Sequence, residues 1–340
     1  SAPARKTALA ANSRLAILGA GSWGTALSIA LASRFEIVQL WARDAERAKD
    51  IEELRENRRY LPGFALPEHV SVSNDLGKAL ARADTVISVV PSGYLRGVLE
   101  AAGRHLRRGT PVLSATKGFE GATLCRMSQV VRQVLIDSPA AVLSGPTFAK
   151  EIAAGEPAAV VIASEEIALA EQMQRAFATP ALRFYTSRDV AGVEVGAAMK
   201  NVIALGAGIC RGLGLGSNSV AALVTRGLAE STRLAVAMGG DARTLSGLAG
   251  LGDLLLTATG DLSRNRSVGV ELGRGRKLAE ILAEMTMVAE GVATCRAARE
   301  LGLRHQLDLP ITGKMYEVLY QGKDARSAIR ELMDRPLTSE

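Results

Sequence analysis

The chain has 340 residues, 41 of them Lys or Arg against 35 Asp or Glu, so its net charge is +6; 48% of it is hydrophobic and only 4% aromatic. That length holds two domains, each able to bury its own core, and with so few rings the cores must be built from Ala, Val, Ile and Leu. The arginines are scattered rather than set in blocks between aromatics, which argues against a nucleic-acid groove and for a surface that attracts small anions. Cys125, Cys210 and Cys295 have neither paired nor CxxC spacing, so neither a disulfide framework nor a zinc site is expected, and a reducing, cytoplasmic compartment fits best.

Residues 1–13, SAPARKTALAANS, lack an apolar run long enough for secretion and read as a disordered leader. The next stretch, RLAILGAGSWG, is the most informative in the chain. Its apolar run 15–18 reads as a strand, Gly19-Ala20-Gly21-Ser22-Trp23-Gly24 as a tight turn, and 25–31 as a helix start. A GxGxxG in that context is a dinucleotide-binding fingerprint. Gly19 permits the turn, Gly21 lets backbone approach a pyrophosphate, and Gly24 lets helix pack closely on strand. The free amides at the helix start then face the phosphates. The alternative is a glycine-rich turn in some other α/β protein.

Short apolar runs at 15–18, 36–41, 85–90, 111–115, 141–144, 159–163 and 183–185 alternate with helix-like segments. This is the pattern of a parallel sheet with covering helices. Several runs end in polar handles: Ser88 and Ser92, Thr116 and Lys117, Gly145 and Thr147. Ligand crevices in open parallel sheets lie beyond the carboxyl ends of the strands, so cofactor and substrate contacts are expected there. After the second run, an acidic residue would bind the ribose hydroxyl of NAD, and an Arg the extra phosphate of NADP. Here Arg43 precedes Asp44, which favours NADP(H) while leaving NAD(H) open; alternatively, both only cap the following helix.

From about residue 189 the texture becomes helical, with candidate helices at 190–213, 219–238, 244–258, 267–273, 277–285, 294–301, 311–320 and 324–332. The expected fold is therefore α/β: a Rossmann-type dinucleotide-binding domain over 14–188, with a parallel sheet and helices, then an all-helical substrate and catalytic domain over 189–340. The longest apolar stretches are broken by charges or glycines, so no membrane span is expected.

Within the helical part, Lys200 sits in VGAAMKNVIAL with only Glu194 and Asn201 as polar neighbours. A Lys so placed has a lowered pKa suited to proton transfer, or else it snorkels to the surface. Asp253 and Thr257 share one helix face at i and i+4. Asp253 either orients an ammonium, with Thr257 on a substrate oxygen, or simply caps a helix after a glycine loop. Ser263-Arg264-Asn265 reads as a helix start able to hold a phosphate, or as an ordinary solvated one. The three histidines fall in unrelated contexts, so neither a histidine base nor a metal site is assigned.

Taken together, the chain resembles the bacterial type of NAD(P)-dependent glycerol-3-phosphate dehydrogenase from about residue 14 to about 332. The resemblance rests on GAGSWGTAL, RRYLPG, ATKG, SGPTFA, VGAAMKNVIALGAGI, TRGL, GLAGLGDLLLT, SRN and VAEGV in this order. It implies that Lys200 is the acid/base, with Lys117, Asn201, Asp253 and Thr257 around it. It implies that Gly145, Thr147, Ser263, Arg264 and Asn265 hold the substrate together with Lys117, Lys200 and Asp253. Ser22, Trp23, Arg43, Tyr60, Lys117, Ala149, Arg264, Val288 and Glu290 would line the cofactor beside Gly19, Gly21 and Gly24. Thr147 stands where a Ser is common in the family. The activity implied is reduction of dihydroxyacetone phosphate to sn-glycerol 3-phosphate for phospholipid synthesis, by a cytoplasmic homodimer using NADP(H) or NAD(H). Competing readings are a two-domain dehydrogenase of the 3-hydroxyacid or 6-phosphogluconate kind, and a nucleotide sensor without turnover.

Overall fold

Residues 13–335 are described by a computed structural model. Of the expected leader, residues 1–12 lie outside the described residues. Ser13 departs from that expectation: it is buried, and its carbonyl accepts from the Glu36 amide at 3.0 Å. Contacts divide the chain into two compact units. The first comprises the residues up to 116, 128–143 and 147–190, and the second 117–127, 144–146 and the residues from 191 on.

The sheet strands are β1 (Arg14–Leu18), β2 (Ile37–Trp41), β3 (Val70–Ser73), β4 (Thr85–Ser88), β5 (Val112–Ser114), β6 (Ala140–Ser144), β7 (Ala158–Ala163) and β8 (Leu182–Ser187). Their order is β3-β2-β1-β4-β5-β6-β7-β8, so the chain reverses direction across the sheet between β1 and β4. Strand β1 pairs in parallel with β2 and β4, and the pairs β2–β3, β4–β5, β5–β6 and β7–β8 are parallel as well. Helices on both faces bury such strands twice over, which is why β1 and β4 read as unbroken apolar runs. Leu15, Ile17, Leu18, Val86 and Ile87 are all at most 1% exposed. Every strand expected from the sequence is present to within two residues; β3 is an addition. Its sequence, VSVS, is short and half polar, and only its pairing with β2 makes a strand of it.

The second unit is helical. Its central helix, Val190–Gly212, is long and apolar enough to cross a membrane by length and composition alone, the charges and glycines within it not lowering its hydropathy below that level. Its apolar window is wholly buried inside the protein, so it is a core helix. A Cβ on Gly208 would overlap the carbonyl of Arg266, and one on Gly269 would overlap that of Leu205. The Val190–Gly212 and Arg264–Gly273 helices therefore touch backbone to backbone. Val202, Ile203 and Leu205 join Leu254, Val268 and Met315 in the core beneath.

The single helix expected over 244–258 is broken into Ala242–Leu245, a π-helical turn Leu248–Gly252, and Asp253–Thr259. Gly250 explains the break, because a side chain there would collide with the Leu245 backbone. π-turns of this kind mark functional sites more often than chance, and this one delivers Asp253.

Candidate active site

Asp253 begins the Asp253–Thr259 helix and is fully buried. Lys200, one face over on the Val190–Gly212 helix, directs its ammonium onto Asp253 Oδ1 and, at 2.9 Å, onto Thr257 Oγ1. The Thr257 hydroxyl donates to the Asp253 carbonyl at 2.7 Å, so its oxygen is oriented to receive the lysine. Lys117 donates to Asp253 Oδ2 at 2.6 Å and to the Gly145 carbonyl at 3.4 Å. The Ser144 hydroxyl stands 3.4 Å from Asp253 Oδ2. One buried carboxylate thus holds two lysines, and the cluster carries a net positive charge when both are protonated.

An ammonium has three N–H donors, and Lys200 commits two of them to Asp253 and Thr257. Among the described residues the third has no partner, so it is able to meet an incoming oxygen. Burial pushes Lys200 down to about 7, with Asp253 pulling it up and Lys117 pushing it further down. For Asp253, burial favours the neutral acid, but the two lysines outweigh it and hold the carboxyl below its ordinary range. The arrangement can give or take a proton near neutral pH and can stabilise a negative oxygen.

Asn201 follows Lys200 and is also buried. Its Oδ1 accepts from Asn265 Nδ2 at 2.9 Å, and Asn265 Oδ1 accepts from the Gly291 amide at 2.9 Å. Asn265 is therefore engaged at both ends of its amide, with one of its two Nδ2 hydrogens still available. Ser263 caps the Arg264–Gly273 helix, its hydroxyl accepting from the Arg266 amide at 3.2 Å. Arg264 donates to the Val288 carbonyl at 2.9 Å. Although its side chain as a whole is exposed, desolvation of the guanidinium lowers its pKa, and the Glu290 carboxylate opposes that. Glu290 opens the Glu290–Arg304 helix, four residues earlier than periodicity suggests.

Thr147, Ala149 and the glycine turn belong to the first unit. Gly19 has φ +121°, and a Cβ there would come within 3.2 Å of the Val89–Val90 backbone. A Cβ on Gly24 would overlap the Gly19 carbonyl, while nothing lies within 4 Å of where one on Gly21 would point. Gly21 is the N-cap of the Ser22–Ala30 helix, and no side chain caps that turn. One glycine for the turn, one open to a ligand and one for close packing is the set a dinucleotide pyrophosphate requires, so the residues fit the cofactor. Trp23 and Ala149 pack partly buried against the core of this unit.

Asn57, which sequence reasoning does not single out, braces the turn. Fully buried, it donates to the Ala20 carbonyl at 3.0 Å and to Thr25 Oγ1 at 2.8 Å, and Tyr60 lies three residues on. The Tyr60 hydroxyl accepts from Arg47 at 3.0 Å, with the Arg47 and Arg59 guanidinium groups over its ring. Arg43 is exposed and lies over the Tyr94 ring at 5.1 Å. Asp44 caps the Ala45–Leu54 helix, accepting from the Arg47 amide at 2.8 Å. Ser144 is the other residue missed; its only signal is its place at the end of β6.

The family model described as NAD-dependent glycerol-3-phosphate dehydrogenase N-terminus matches residues 14–170, and that described as the C-terminus matches 189–330. Glycerol-3-phosphate dehydrogenase [NAD(P)+] of Koribacter versatilis is 53% identical, over 96% of this chain and 99% of the relative. The protein of that name from Geobacter sulfurreducens is 50% identical, over 96% and 98%. Among solved structures, glycerol-3-phosphate dehydrogenase from Coxiella burnetii superposes with a TM-score of 0.92 at 36% identity, covering 95% of this chain and 99% of that one.

Proposed function

The chain belongs to the NAD-dependent glycerol-3-phosphate dehydrogenase family, and from that premise we propose how its residues divide the work. It is an NAD(P)-dependent oxidoreductase interconverting dihydroxyacetone phosphate and sn-glycerol 3-phosphate. The observation that carries the assignment of roles is the buried Lys200–Asp253–Lys117 cluster with one Lys200 N–H uncommitted.

A bound nicotinamide supplies or accepts the hydride. The remaining chemistry falls to side chains. Lys200 donates its third N–H to the carbonyl oxygen of dihydroxyacetone phosphate and gives that oxygen a proton as it becomes the secondary hydroxyl. Negative charge develops on the oxygen only in the transition state, so a preplaced ammonium stabilises that state more than the ground state. Asp253 holds both lysines in register, and Lys117 adds positive charge to the same cluster. Arg264 and the amides following Ser263 bind the phosphate, fixing the reacting carbon at a distance. Asn265 orients Asn201 through one N–H of its side-chain amide, and the second N–H of that NH2 group serves the substrate.

For the cofactor, the glycine turn takes the pyrophosphate. Arg43 is exposed while the Asp44 carboxylate is occupied as a helix cap, which supports a preference for NADP(H). Use of NADPH suits a biosynthetic role in supplying phospholipid precursors. Family resemblance supports a homodimer, and cysteine spacing supports a cytoplasmic setting.

The test is oxidation of NADPH and of NADH by dihydroxyacetone phosphate, followed at the absorbance of the reduced nicotinamide. Rapid oxidation, faster with NADPH, is expected. Equal rates or a preference for NADH would remove the role given to Arg43. No oxidation by folded, nucleotide-binding protein would reject the substrate.

A further inference from the structure

One buried ion pair has no part in the chemistry above. Arg126 Nη1 lies 2.6 Å from Glu194 Oε2, with the side chains 11% and 6% exposed. Burying two charges is costly, and apolar replacements often do as well or better for stability. A pair kept in such a place therefore raises the question of what geometry it secures.

Both partners lead to the lysine cluster. Glu194 is on the Val190–Gly212 helix, six residues before Lys200. Arg126 is in the segment 117–127, which groups with the second unit although β5 before it belongs to the first. That segment folds back on itself. Phe119 and Arg126 pair as an antiparallel bridge, Glu120 donates to the Cys125 carbonyl at 2.9 Å, and Leu124 donates to that of Glu120 at 2.8 Å. Lys117 stands at its entry, two residues before Phe119, with Gly118 at φ +127° between them. The Phe119 ring is buried among Val195, Ala198 and Met199 of the helix that carries Lys200. The small hairpin is thus fixed to that helix twice, by an apolar ring and by a charged pair, on the two strands of its base.

We propose that Arg126 and Glu194 are positioning residues of the reaction: by locking the 117–127 hairpin to the Lys200 helix, they hold the Lys117 ammonium on Asp253. This rests on the reading of Lys200 as the acid/base. The groups whose charge bears on Lys200 are Asp253, from the Asp253–Thr259 helix, and Lys117, from the hairpin. With the hairpin loosened, Lys117 withdraws and Asp253 serves Lys200 alone. Lys200 then holds its proton more tightly, and the alkaline fall of the reduction rate moves to higher pH.

The experiment uses the full chain, measuring kcat/KM for dihydroxyacetone phosphate against pH, nucleotide affinity and melting temperature. The variants are Arg126→Lys, Glu194→Gln, Lys117→Met, the double Lys117→Met/Arg126→Lys, and Lys200→Ala. Arg126→Lys and Glu194→Gln are expected to lower kcat by roughly tenfold to a hundredfold, the range for a misplaced catalytic group, with nucleotide affinity unchanged. Each should move the alkaline limb in the same direction as Lys117→Met. Groups acting through one another are non-additive, so the double variant should be no slower than Lys117→Met alone. A lowered melting temperature with the limb unmoved, or rate losses that multiply in the double variant, would leave the pair a structural one and overturn the proposal. Two variants of different chemistry guard against failure of either to fold. Should Lys200→Ala retain turnover, the acid/base reading falls and the positioning role with it. Should Lys200→Ala be inactive while Arg126→Lys and Glu194→Gln match the parent, only the positioning role falls.

Discussion

The glycine turn of the first unit and the lysine cluster of the second are made from opposite materials. The turn works through what is missing: three glycines within six consecutive residues leave backbone amides at a helix start and no side chain in front of them. The cluster works through what is present and costly, a carboxylate and two lysines drawn from segments 136 and 53 residues away and buried together. A site of the first kind is damaged by adding an atom. A site of the second kind is damaged by removing one, or by shifting the scaffold that brings distant segments into register.

The largest effect that would sharpen this contrast is at Lys200. Lys200→Ala should lower kcat/KM by about 10²–10⁴, the usual weight of a general acid, while nucleotide titration shows affinity close to the parent's. Loss of nucleotide binding in that variant would break the contrast.

Asp253→Asn comes next, with a fall in kcat of about a hundredfold or more, because two buried ammonium groups lose their common counter-ion. Its pH profile should move in a telling direction. Asp253 favours the charged form of Lys200, so removing it shifts the alkaline limb to lower pH, opposite to the shift expected for Lys117→Met.

Gly24→Ala should show the complementary damage. Its new Cβ would meet the Gly19 carbonyl, and relief of such overpacking typically costs about 1–3 kcal/mol. Weaker nucleotide binding and a lower melting temperature are expected, measured by titration and thermal unfolding. The Lys200-dependent pH limb should stay in place.

The last effect is read with pH alone. Lys200 has a folded-state value of about 7 against an ordinary 10.5. Its proton is therefore bound more weakly in the folded chain than in the unfolded one. Between these values the unfolded chain holds more protons, so this group makes stability rise as pH climbs from about 7 toward about 10. In the same window the reduction rate should fall as the acid form is lost, and the oxidation rate should rise. Nucleotide affinity should stay nearly flat, since the glycine turn contains no titrating side chain. Denaturant midpoints and rates in both directions across that window test both statements.

How legible each region is in the chain follows from the same contrast. Strands β1, β4, β5 and β6 appear as apolar runs because burial on both faces demands them, whereas β8 at the edge alternates buried and exposed residues. The glycine turn is legible because all its constraints act within one turn of backbone. In the helical unit, periodicity finds most helices, but it carries one continuous helix over 244–258, where Gly250 and the π-turn intervene. The Asp253–Thr257 pair is visible as an i, i+4 spacing. Lys117 is visible only as a polar handle at a strand end and Ser144 only by its place at the end of β6, Asn201 takes a role only through family resemblance, and Asn57, Arg126 and Glu194 carry no local sign of their roles.

The amino-acid sequence by itself determined the alternation of sheet and helix, the phosphate-binding turn, and a lysine set in an apolar helix. Each of these depends on sterics and periodicity over a few neighbouring residues. Only the tertiary structure decided that residues 117–127 and 144–146 join the helical unit, that Lys117 and Lys200 share one carboxylate, and that β3 pairs at the sheet edge. Spacing along the chain does not encode these, because buried charges find their partners through the packing of segments far apart in sequence, and it is that packing which excludes water and gives the charges their effect.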